Sequence, residues 1–184
     1  MNLDLHQQLA HCSAHRKPRE RLRDFVMKRP EVFPDLLKMA FDVDYKYHFK
    51  ACWIVEFVAD TRLEWFQEHL DLFCNCLPNL KDESGIRPIA KVVMMIVNAH
   101  FSKKTNRITL SENQLEKLAE ACFDWLISYI KVAAKAYSIR ALYVLGKKYD
   151  WIHPELKIIL EKDYQSHSAA YKAVAREILK KINL

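Results

Sequence analysis

Ser138-Ile-Arg-Ala-Leu-Tyr-Val-Leu-Gly146, Trp151-Ile-His-Pro-Glu-Leu-Lys-Ile-Ile-Leu160 and Tyr171-Lys-Ala-Val-Ala-Arg-Glu-Ile-Leu179 decide the fold. In each stretch the apolar residues recur every three or four positions, the spacing of one helix face. Pro154 stands near the start of its stretch, where a proline costs a helix nothing. Gly146 stands at the end of the first, where helices commonly stop. Two helices joined by a short turn cannot bury their apolar stripes alone, so the pattern requires further pairs beside it.

Upstream the same signals repeat. Helices are predicted over 34–41, 44–60, 63–77, 84–101, 112–127, 130–149, 154–163 and 168–182. Each pair has a shorter first member and a longer second one carrying a basic residue beside alanine. The instances are Lys50-Ala51, Ala90-Lys91, Arg140-Ala141 and Lys172-Ala173. These steps approximate the helical-pair period of about 33–47 residues, once the polar stretch Ser102–Thr109 is set aside as an insert loop. Residues 2–28 are expected to add one or two capping helices, broken at Pro18. The two glycines in 184 residues, Gly85 and Gly146, leave no room for tight hairpins or glycine-rich phosphate loops.

The pattern resembles HEAT repeats, in which a first helix carries Pro-x-Leu and a second carries Arg-x-x-Ala. The expectation is an all-α fold: a right-handed α-α superhelix of about four HEAT-like hairpins (30–61, 62–101, 110–149, 150–184) behind an N-terminal cap (1–29), forming one domain. A narrower resemblance rests on Ala51-Cys-Trp-Ile-Val-Glu-Phe-Val58, Arg87-Pro-Ile-Ala-Lys91, Cys122-Phe-Asp-Trp125, Val132-Ala-Ala-Lys-Ala-Tyr-Ser138 and Lys148-Tyr-Asp-Trp-Ile152. These segments are similar to a family of small bacterial proteins whose members are often labelled adenylosuccinate lyase, and the resemblance implies that label. Lyases of that superfamily supply their catalytic serine from a Ser-Ser-x-Met-Pro-x-Lys-x-Asn loop. This chain has no Ser-Ser pair, and none of its eight serines precedes Met-Pro.

Charge carries the clearest functional signal. The chain holds 29 Lys and Arg against 23 Asp and Glu, unevenly spread. Residues 84–110 and 131–149 each carry five cations and no acid, whereas 31–83 carries 11 acids against five cations. Both acid-free blocks contain second helices of their hairpins, and the HEAT resemblance implies that those helices line the concave side. Arg87, Lys91, Lys131, Lys135 and Arg140 are therefore expected to form one basic concave surface, rimmed by Lys103, Lys104 and Arg107. Such a surface attracts acidic proteins or phosphate backbones. The run Arg16-Lys-Pro-Arg-Glu-Arg-Leu-Arg23 reads as a solvated helix start.

Glu56 is the carboxylate that needs an explanation, because its neighbours in Trp53-Ile-Val-Glu-Phe-Val58 are all apolar. Burying it unpaired costs several kcal/mol. It is read as an ion pair with Lys91 that sets register, as a polar hot spot together with Trp53, or as a lone acid/base. Trp65, Trp125, Trp151 and Met94-Met95 read as core. His6, His11 and His15 read as a solvated helix face, and Cys74 and Cys76 as thiols rather than a metal pair, since residues two apart diverge around a helix.

The reading is a non-catalytic binding module for a protein partner, with no cofactor and no metal. Nucleic-acid binding, in an architecture similar to the helical-repeat DNA glycosylases, is the alternative; it calls for outward aromatics such as Tyr47, Tyr143 and Trp53 among the cations. The absence of a basic n-region and apolar h-region in Met1–Gln8, and an odd set of five cysteines, lead to the expectation of a cytoplasmic protein with free thiols and no membrane contact.

Overall fold

The computed structural model describes residues 2–103 and 108–183. Lys104 and Arg107 of the insert lie outside the described residues. The described chain is all-α, and it divides into two compact units, residues 1–92 and 93–184.

The first unit holds α1 (Leu3–His11), α2 (Arg16–Met27), α3 (Phe33–Phe41), α4 (His48–Arg62) and α5 (Leu70–Cys76), with 3₁₀ turns before α3 and on either side of α5. Asn2 starts α1 by accepting the Leu5 N–H on its side chain at 3.0 Å. The break between α1 and α2 falls at residues 12–15, not at Pro18 as the sequence suggests. Pro18 sits in the first turn of α2, where a backbone N–H has no intrahelical acceptor and its loss is harmless. Helix α2 packs against α4, and α3 pairs with α4. Leu22 and Val26 of α2, Leu36, Leu37 and Ala40 of α3, and Ala51, Ile54, Val55 and Val58 of α4 are all buried. Phe66, within the 3₁₀ stretch Leu63–His69, stacks edge-to-face between Phe33 and Phe73, with centroids 5.1 and 5.6 Å apart.

Helix α6 (Glu83–Phe101) begins in the first unit, where Asp82 accepts the Gly85 N–H at 2.9 Å, and continues into the second. The second unit contains α7 (Glu112–Ile127), α8 (Val132–Leu145), α9 (Ile152–Asp163) and α10 (Ala169–Ile182). A capping box opens α7: Ser111 accepts from the Gln114 N–H while the Gln114 side chain accepts from the Ser111 N–H. Helix α7 pairs with α8, α9 with α10, and α10 also lies against α8. The α10–α8 contact repeats within this unit what α2 and α4 do in the first. Gly146 ends α8 under the imidazole of His153, which leaves no space for a Cβ. That ring stacks on Tyr143 and donates from Nε2 to the Tyr143 carbonyl at 2.9 Å.

All five cysteines are free. Burial raises the thiol of Cys122 to about 12 and pushes that of Cys52 up further, so neither ionises at neutral pH. Among the described residues no helix is long and apolar enough to cross a membrane.

Candidate functional site

Three helical stripes of the first unit converge on one cleft of about 780 Å³. Helix α4 supplies Trp53, Glu56, Phe57 and Asp60, which share a face because they are spaced 0, 3, 4 and 7 residues apart. Helix α2 supplies Arg16, Arg19 and Arg23 at spacings of 0, 3 and 7. Helix α6 supplies Arg87 and Lys91, one turn apart.

Glu56 organises the cleft. It is 6% exposed, and Arg87 donates from Nη2 to its Oε2 at 2.8 Å. Lys91 Nζ lies 3.3 Å from its Oε1 and donates to Asp60 Oδ2 at 2.8 Å. Partial burial opposes the charge on Lys91, but the Asp60 hydrogen bond and the neighbouring Glu56 and Asp60 charges outweigh it, and its pKa is raised. The pair expected from sequence, Glu56 with Lys91, is present, and Arg87 makes it a triad.

The α2 arginines differ from one another. Arg16 pairs with Glu20 at 2.7 Å and Arg23 with Asp24 at 2.7 Å, both on their own helix. Arg19 has no carboxylate partner among the described residues. Its guanidinium lies 5.1 Å from the Phe57 ring centre and 5.7 Å from that of Trp53, and its Nε donates to the His15 carbonyl at 3.3 Å. A guanidinium over aromatic faces is attracted by the ring quadrupole and keeps its planar fork of donors.

Of the residues expected to form the basic surface, Arg87 and Lys91 stand together here with Glu56 and Trp53. Lys131, Lys135 and Arg140 belong to the second unit. Lys131 is the exposed residue that precedes α8. Arg140 faces Glu177 of α10 at 3.4 Å. Lys135 corrects the sequence reading. It is only 5% exposed and donates to the Leu126 carbonyl at the end of α7 at 2.8 Å, so it lines no open surface. Burial lowers its pKa, against the pull of Asp163. An acid-free helix does not place every cation in solvent, because a lysine long enough to reach the last carbonyls of a neighbouring helix will cap it. Lys50 does the same for α1, donating to the carbonyls of Leu9 and Ala10 at 3.1 and 3.0 Å.

The sequence reading missed Arg16, Arg19, Arg23, Phe57 and Asp60. Their signal was the 0, 3, 7 spacing of arginines in a stretch read only as a solvated helix start. Tyr143 is taken up by His153, and Tyr47 lies against Lys50 at 4.8 Å. The N-terminal histidines are not gathered: His6 shares a hydrogen bond with Tyr45 Oη at 2.9 Å, and His11 donates to the Gln7 carbonyl at 2.8 Å.

Helices that pair with their sequence neighbours inside each unit, α3 with α4, α7 with α8 and α9 with α10, are those of a helical-repeat protein. The family model of the HEAT repeat domain matches residues 5–182, and the chain belongs to that family. No curated protein and no solved structure shows significant similarity to it. HEAT repeats generally serve as scaffolds for protein interaction.

Proposed function

We propose that this chain is a non-catalytic binding module whose contact surface for a protein partner is the cleft between α2, α4 and α6. One observation carries the reading: five cations line a single cleft that holds two carboxylates. Both carboxylates are engaged from within, by Arg87 and Lys91. Arg16 and Arg23 are held only by exposed pairs, which contribute about 0–1 kcal/mol and exchange readily for a partner's anion. Arg19 has no such pair to exchange. Arg87, Lys91, Glu56 and Trp53 are thus part of the site by this reading, whereas Lys131 and Arg140, on the second unit, are not.

Nucleic acid is the alternative occupant, and Trp53 and Phe57 beside Arg19 are the feature that favours it. What favours a peptide is its ability to donate to Asp60, whose Oδ2 alone is taken by Lys91. A peptide can meet an acid with its main-chain N–H, whereas a DNA sugar–phosphate backbone carries no such donor. The test is affinity capture with wild-type protein and the Arg19→Glu variant at low and moderate salt. The expected result is a protein recovered by the wild type and lost with the variant. Identical recoveries, or recovery of nucleic acid alone, would contradict the proposal.

A further inference from the structure

We infer that the occupant of this cleft is an extended peptide segment bearing acidic side chains at alternate positions, gripped by the α2 arginine row. The inference rests on the reading of the cleft as a protein-binding site and adds the conformation and pattern of the bound segment.

Spacing is the first argument. A helix rises about 1.5 Å per residue, so successive members of the row Arg16, Arg19 and Arg23 are about 4.5 and 6 Å apart along the axis. An extended chain rises about 3.3 Å per residue, so side chains on one edge recur at about 6.6 Å. Arginine side chains are long enough to absorb the difference, and each fork matches a carboxylate in a bidentate manner. Acids at consecutive positions would point to opposite edges, and half of them would miss the row.

Main-chain chemistry is the second. Asp60 gives Oδ2 to Lys91, while its Oδ1 makes no hydrogen bond among the described residues. An extended peptide carries free N–H groups that can meet that oxygen, whereas a helix has spent its own. Arg19 then has the central position: it is the middle cation of the row, it is unpaired, and it is oriented by Trp53 and Phe57.

The test titrates the full chain with three six-residue or longer peptides of equal charge, read by calorimetry at two salt concentrations. The first has Glu at positions 1, 3 and 5 with Ser between. The second has the same composition with its three Glu contiguous. The third is a helix-stabilised peptide with Glu at positions 1, 4 and 8. A single-stranded DNA hexanucleotide is the fourth probe. The alternating peptide is expected to bind tightest, by about fivefold over the contiguous one, the equivalent of one exposed ion pair. Arg19→Ala should remove that margin, and Arg19→Lys, which keeps the charge without the planar fork, should not restore it. Equal affinity of alternating and contiguous peptides, or preference for the helical one, would overturn the inference and leave the protein-binding reading standing. Binding of none of the peptides, or tighter binding of the DNA, would overturn both.

Discussion

Arg87 Nη2 donates to Glu56 Oε2 at 2.8 Å, tying the first turns of α6 to the middle of α4. The carboxylate is almost fully buried, whereas the side chain of Arg87 is 30% exposed. Loss of the two partners should therefore be unequal. Glu56→Gln leaves Arg87 free to turn to solvent. Arg87→Leu leaves a buried carboxylate with only Lys91 at 3.3 Å.

Arg87→Leu is predicted to be the more destabilising of the two, by about 2–3 kcal/mol, below the usual cost of breaking a fully buried pair because one partner is part-exposed. Urea denaturation of both variants and of the double Glu56→Gln/Arg87→Leu protein checks this. The double variant should recover part of the loss, since it removes the charge that the single variant strands.

Lys135 and Arg140 should separate sharply although they lie on one helix. Lys135→Met removes the donor to Leu126 and strands a buried carbonyl, at a cost of about 1–3 kcal/mol. Arg140→Met breaks only an exposed contact with Glu177 and should cost at most about 1 kcal/mol. Thermal denaturation midpoints of the two variants decide the matter; equal shifts would mean that Lys135 is not the cap described.

Gly146→Ala is predicted to destabilise the chain by about 1–3 kcal/mol, the usual range for overpacking, because the new Cβ meets the imidazole of His153. The backbone at Gly146 is ordinary right-handed helix, so the effect is contact and not conformation. Adding His153→Ala to the Gly146→Ala protein should make the alanine neutral. If the glycine substitution costs as much without the histidine, contact is not the cause.

Alkaline pH should destabilise the protein through its buried thiols. In the fold Cys122 is raised to about 12 by burial, from an ordinary value of 9.0, and Cys52 is raised likewise. Between those limits the unfolded chain releases protons that the folded chain keeps. The stabilising contribution is full below pH 9 and is lost as the pH climbs toward the folded values. Stability measured by urea at pH 8 and pH 10.5 should fall, and Cys122→Ala should fall less steeply than wild type.

Much of the architecture was legible in the sequence because helix periodicity and caps are local. Ser111, Pro154 and Ser168 mark the beginnings of α7, α9 and α10 to within two residues. Glu56 was legible as a site because one acid in an apolar run has to be paired. Lys135 was not, because the reach of its ammonium to Leu126 depends on where α7 ends relative to α8, which composition does not encode. The arginines of α2 were missed for a related reason. Taken as a cap, α2 had no partner; packed on α4, it presents Arg19 to Phe57 and Trp53.

The most direct measurement of the central claim is an amide chemical-shift map of the labelled full chain titrated with the alternating-Glu peptide. The account predicts perturbations concentrated on α2, α4 and the first turns of α6, strongest around Arg19, Phe57 and Arg87, and fading as salt is raised. Perturbations concentrated instead on α8 and α10, around Lys131 and Arg140, would contradict it.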